Sequence, residues 1–136
     1  VKTVLCNPES GSIGSETKKI LNNAGIYTEA MARAVYLTTD SRNLIKAIKE
    51  GDADLILNWH ATTFWDDNKE FVEAIVLEDK YSDKAKLVFN LLSTSQNKEL
   101  SKKFMDYASS TEGREVFKKY GFLDDEDIKN IDKVTF

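Results

Sequence analysis

Two short stretches carry residues suited to holding a small anion without setting a full positive charge against it. The first is Ser10-Gly11-Ser12-Ile13-Gly14-Ser15. Serine hydroxyls donate hydrogen bonds, and glycines let the backbone approach a ligand closely. Backbone amides at a helix start point outwards with the positive end of the helix dipole behind them. The second is Asn58-Trp59-His60, which closes the apolar run Leu55-Ile56-Leu57. Amide, indole and imidazole groups all donate, and ligands of open α/β sheets sit beyond the carboxyl ends of strands. Between the two, Thr39-Asp40-Ser41 offers another helix start.

Each stretch also has a plainer reading. Ser10–Ser15 suits an ordinary helix cap with a flexible loop, and Asp40 or Ser41 a simple N-cap. Trp59 suits a packed core or hinge aromatic. His60, the only histidine, suits a structural hydrogen-bonding role as well as anion contact or titration near neutral pH.

Reaction chemistry finds no specific motif. Gly11–Lys18 lacks the spacing of a phosphate loop, because Gly14 is followed by Ser-Glu-Thr-Lys. There is no G-x-S-x-G nucleophile elbow. Cys6 ends an apolar strand, where a thiol is usually buried and inert. Trp65-Asp66-Asp67 reads as a surface turn, since a metal needs more converging ligands. The chain is therefore read as non-catalytic, with neither metal nor cofactor.

Composition narrows the class further. The chain has 136 residues, of which 41% are hydrophobic and 31% charged, which suits a folded soluble domain with a real core. Its net charge is −4 and its lysines are scattered, so nucleic acid is not an expected partner. One cysteine excludes an intrachain disulfide, and no run approaches the length of a membrane-spanning helix. The start at Val1, entering a strand almost at once, reads as that of a processed product or of a piece excised from a longer chain, either of which leaves room for a targeting signal removed from the native protein.

The elements that must position these residues alternate. Val1–Cys6 reads as a buried strand and Ser15–Ala24 as a helix stopped by Gly25. Tyr27–Arg33 reads as a short helix or turn, and Ala34–Thr38 as a strand. A helix carrying Leu44, Ile45 and Ile48 runs to Gly51. Asp54–Trp59 reads as a central strand, since its continuous apolar run suits burial on both faces. Phe71–Leu77 and Lys86–Leu92 are two further strand candidates around the polar Glu78–Lys84 turn. Helices then follow over Asn97–Ala108 and from a capping box of Ser109 and Glu112 to Gly121, burying Val116, Phe117 and Tyr120. Asp124–Lys133 reads as a further short helix. This rhythm predicts an α/β fold.

Three segments together resemble a known family. They are the Asn7-Pro8-Glu9-Ser10-Gly11-Ser12-Ile13-Gly14 loop opening a helix, the Glu50-Gly51-Asp52-Ala53-Asp54-Leu55-Ile56-Leu57 turn and strand, and Phe104–Phe122 with its Glu112-Gly113 and Tyr120-Gly121-Phe122. In order and spacing they are similar to the type II periplasmic binding proteins, specifically the molybdate-receptor-like branch, over about Val1–Phe122. The resemblance implies one lobe of that fold, a central mixed sheet with helices on both faces followed by C-terminal helices. It assigns residues 1–92 to the second-lobe core and residues 93–136 to helices that return to the first lobe. The N-terminal half of that first lobe has no counterpart in this chain.

By resemblance, the backbone around Ile13 and the Ser41 amide match ligand-contact positions, and Trp59 falls where the branch carries a ligand-contacting tyrosine. The implied site is Ser10, Ser12, Ile13, Ser41, Asn58, Trp59 and His60. The implied function is the solute-binding component of an ABC-type transporter, taking a small, oxyanion-like solute in an interlobe cleft outside the cytoplasm. Its partners would be that anion, a permease and, over the apolar surface the missing half-lobe would bury, a second copy. A ligand-sensing domain of a regulator or signalling receptor is the alternative, and an enzyme on a related two-lobed fold is a third.

Overall fold

The computed structural model describes residues 1–129, which divide into two compact units with the boundary after Lys84. In the first unit, strand β1 (Thr3–Cys6) is the centre of a three-stranded parallel sheet of order β2-β1-β3, with β2 at Leu37–Thr38 and β3 at Leu55–Ile56. Leu5 pairs with Leu37 and Cys6 with Thr38 on one side, and Thr3 with Leu55 and Val4 with Ile56 on the other. Helices α1 (Gly11–Asn23) and α2 (Tyr27–Arg33) connect β1 to β2, and α3 (Ser41–Lys49) connects β2 to β3. The first crossover runs from β1 to β2, and the second runs back across the sheet from β2 to β3, in the opposite direction. The near-universal right hand of such connections therefore sets α1 and α3 on opposite faces of the sheet.

The core follows from this. Val4 and Cys6, two residues apart and so on one face, are fully buried with Ile13, Leu44, Ala47 and Ala53, and Ile48, Ile56 and Trp59 pack against them. Leu5, Ile20 and Leu21 are buried as well. Sequence patterning located β1 and α2 but placed the centre of the sheet wrongly. The run Leu55–Leu57 forms an edge strand in which Leu55 is 47% exposed. A short apolar run cannot reveal which neighbours it will have.

Helix α1 begins at Gly11, four residues earlier than its apolar periodicity suggests, because its first turn carries serine and glycine rather than apolar residues. Two glycines at helix ends are required by backbone conformation: Gly25 and Gly51 have φ of 71° and 75°, where a Cβ is disfavoured.

The strand expectations over Phe71–Leu77 and Lys86–Leu92 do not hold. Neither forms a strand, so the sheet of the described residues is parallel throughout rather than mixed. Ile75 and Val88 are 82% and 71% exposed. A strand needs a ladder partner for its amides and carbonyls, and apolar β-branched composition supplies none.

The first unit closes with Tyr81–Asp83 fastened along α1. The Ser82 hydroxyl donates to Glu16 (2.7 Å), Lys19 pairs with Asp83 (2.8 Å), and the Asn23 amide donates to the Tyr81 carbonyl (2.9 Å). Lys19 holds the Asp83 carboxyl below the usual carboxylate range.

The second unit contains α4 (Lys98–Ser109), α5 (Thr111–Lys119) and α6 (Asp125–Lys129). The rest of the expected Asp124–Lys133 helix lies outside the described residues. The cap of α5 is Ser110 rather than Ser109: its hydroxyl oxygen accepts from the Gly113 amide at 3.2 Å. Phe117 stacks with Phe89 and Phe122, and Phe89 with Phe104, at centroid distances of 6.0–6.3 Å. Val116 and Tyr120, expected inside, are exposed.

A Cβ on Gly14 would overlap the Asn7 carbonyl, a backbone atom that cannot swing away. Gly14→Ala is therefore expected to destabilise the fold by about 1–3 kcal/mol, and Leu44→Ala, which empties the core on β1, by about 2–5 kcal/mol. Urea unfolding followed by circular dichroism measures both; an unchanged midpoint for either would contradict the packing described.

Candidate functional site

A parallel sheet brings its strand ends together, and the three candidate segments all follow the carboxyl ends of β1, β2 and β3. After β1 the chain turns through Asn7 and Pro8. The Asn7 amide donates to the Thr38 carbonyl (2.8 Å), its side-chain Oδ1 accepts from the Glu9 amide (2.9 Å), and its carbonyl accepts from the Ser10 amide (2.9 Å). This turn aims the start of α1 at the carboxyl edge of the sheet. Gly11, with φ 59°, makes the bend.

The Ser10 side chain makes no capping bond, and the first turn of α1 holds no acidic residue. Among the described residues the amides of Gly11, Ser12 and Ile13 meet no hydrogen-bond acceptor. Three amides are thus left at the positive end of a 13-residue helix. Ser12 is exposed and Ser10 half-buried, while the Ile13 side chain is buried in the core beneath them.

The start of α3 differs. Asp40 caps it, its Oδ1 accepting from the Asn43 amide and its Oδ2 from the Asn43 side chain, each at 2.9 Å. The helix dipole there already faces a carboxylate, which opposes a second anion. Ser41 is tied to the end of β3 instead. Its hydroxyl donates to Asn58 Oδ1 (2.6 Å), and Asn58 Nδ2 donates to the Ser41 carbonyl (3.1 Å). Asn58 Oδ1 also accepts from the Trp59 amide (2.9 Å).

The fold thus joins Ser41, Asn58 and Trp59 directly. It links Ile13 to Trp59 through the shared core. Trp59 is half-buried, so one part of the indole packs while another faces out. His60 is exposed, opens a short 3-10 helix (His60–Phe64) and sets its ring edge-on to Phe64 at 5.2 Å. Sequence reasoning missed Asn7, which shapes the turn; the Asn-Pro pair, a recognised turn initiator, was the available signal.

Cys6 sits directly under the turn. It is fully buried, burial pushes its thiol above the ordinary range, and its Sγ lies 3.7 Å from the Ser10 carbonyl. Among the described residues no group of three His, Cys, Asp or Glu side chains is arranged to hold a metal, and no helix is long and apolar enough to cross a membrane.

An uncapped helix start and a polar strand end thus lie together at the carboxyl edge of a parallel sheet, and comparison with known proteins gives the fold a family. The model of the bacterial extracellular solute-binding protein family matches residues 1–123, and the chain belongs to that family. Its members bind solutes outside the cytoplasm as components of transport. No curated protein and no solved structure matches the chain.

The Cys6 thiol is expected to resist a disulfide reagent such as dithionitrobenzoate at pH 8 in native protein and to react fully in denaturant; rapid native labelling would place β1 at the surface. A thiol held protonated by burial stabilises the fold below its unfolded pKa, and that contribution is lost as pH rises through the folded value. Cys6→Ser is therefore expected to flatten any loss of stability on the alkaline side, read from urea midpoints across pH 8–10.

Proposed function

We propose that the protein is the solute-binding component of an ABC-type transport system and that its solute is a small oxyanion-like anion, held in an interlobe cleft. The observation that carries this reading is the contrast between the two helix starts. That of α3 is closed by the Asp40 carboxylate, whereas that of α1 leaves three backbone amides without acceptors and without a nearby acid in its first turn. Neutral donors fixed in a folded frame hold an anion without reorganising.

Ser10 and Ser12 would extend the donor set by hydroxyls, and Trp59, after β3, would add an indole N–H. Ser41, whose hydroxyl is engaged by Asn58, would act through its backbone alone. Closure of the two lobes over the anion would be driven by differential affinity for the closed state and would present the permease with a composite surface. The resemblance of the loop and turn segments to the molybdate-receptor-like branch is what puts tetrahedral oxyanions first among candidate solutes.

Titrating the protein with molybdate, tungstate, sulfate, phosphate and a phosphonate while following tryptophan emission tests this. One anion is expected to give a saturable change that Trp59→Phe removes. Ser12→Pro, tolerated in a first helical turn, deletes one amide donor and is expected to weaken that anion about tenfold or more. Full affinity in Ser12→Pro, measured calorimetrically, would move the anion away from α1. Silence towards every anion would point to a neutral organic solute.

A further inference from the structure

The Asn58 carboxamide is largely spent inside the fold: both acceptor sites of Oδ1 and one of the two Nδ2 hydrogens are engaged. Its Oδ1 accepts from both the Ser41 hydroxyl (2.6 Å) and the Trp59 amide (2.9 Å), and its Nδ2 donates to the Ser41 carbonyl (3.1 Å). A reciprocal pair of bonds to one residue and a third to its own neighbour fix the carboxamide in orientation. Only a short side chain with an acceptor and a donor on one carbon can do this. Aspartate lacks the donor, and glutamine adds a methylene that moves both groups.

We infer that Asn58 is a positioning residue: it locks the turn carrying Trp59 onto the first residue of α3, so that the rim of the site is set before any solute arrives. This deepens the reading of the site given above and rests on it for its functional consequence, although the clamp itself does not depend on the identity of the solute. Two things follow from the chemistry. Trp59 has its backbone N–H held by a side chain that is itself held by another element, so the indole is preset by α3. Ser41 and Asn58 act as one unit: losing the Asn58 carboxamide ends all three bonds, and losing the Ser41 hydroxyl ends one of them.

The experiment uses the full chain with Trp65→Phe, leaving Trp59 as the sole tryptophan. Without any ligand, Asn58→Ala is expected to raise iodide quenching of Trp59 about twofold and to red-shift its emission, as the indole becomes freer. Ser41→Ala is expected to act in the same direction, and the double variant to be no worse than the stronger single one, since coupled partners are not additive. Unchanged quenching in Asn58→Ala, or additive effects of the two substitutions, overturns the clamp. Circular dichroism and urea midpoints confirm that each variant is folded; should Asn58→Ala prove unfolded, Asn58→Asp serves for the same comparison.

A second arm reads function by calorimetry with molybdate. Asn58→Ala is expected to weaken binding about tenfold when Trp59 is present and to have little effect in a Trp59→Phe background. An equal loss in both backgrounds means that Asn58 touches the anion itself, and the positioning role falls. If molybdate does not bind the parent protein, the anion reading fails by that result alone, while the quenching comparison still decides the clamp.

Discussion

Val4, Leu5 and Cys6 have their backbone and side chains withdrawn from water together, and a buried backbone must find hydrogen-bond partners on both sides. The partners are β2 and β3. Each is only two residues long, too short to persist without the strand between them. The side chains of the same three residues supply the apolar floor on which α3 and α1 rest. Remove the burial of β1 and the edge strands lose their ladder, the helices lose their seat, and the turn at Asn7 loses the Thr38 carbonyl that orients it.

The candidate site inherits its geometry from that one strand. The positive end of α1 lies at the carboxyl edge of the sheet because the chain leaves β1 through a tight turn, and that turn is possible because Gly14 lets the Asn7 carbonyl approach the helix. Ser41 follows β2, and Asn58 and Trp59 follow β3, the strands on either side. Three separated segments therefore reach the carboxyl edge of the sheet without long loops, which keeps the entropy of ordering them low.

What could be read from the amino-acid chain depended on whether the signal was local. Helices with apolar faces, the Asp40 cap and the stops at Gly25 and Gly51 are written in a few neighbouring residues, and they were legible. The start of α1 was not, because Gly11-Ser12 carries no periodicity; it is set by the Asn-Pro turn and by contact with β1. Leu55–Leu57 shows the limit for strands: its composition is that of a central strand, but its place at the edge is decided by which strands pair elsewhere. The runs at 71–77 and 86–92 show the same limit more sharply. Val, Ile and Phe make a segment able to pair, not paired. At the site, the donor types were legible, whereas the division of labour was not. That Asp40 closes one helix start while the other stays open, and that Asn58 is tied to Ser41, are properties of distances between segments.

The two flanking strands each leave one side of their backbone without a ladder among the described residues, and Leu37 and Leu55 on them are substantially exposed. Such edges are templates on which another chain can add a strand. Here the template is two residues long on each side, and it is bordered by Asp40 after β2 and by Asp52 and Asp54 before β3. An incoming strand would gain few hydrogen bonds and would meet like charge in a copy of the same acidic chain. Protection of this small sheet from edge-to-edge aggregation thus falls to shortness and negative charge at its margins.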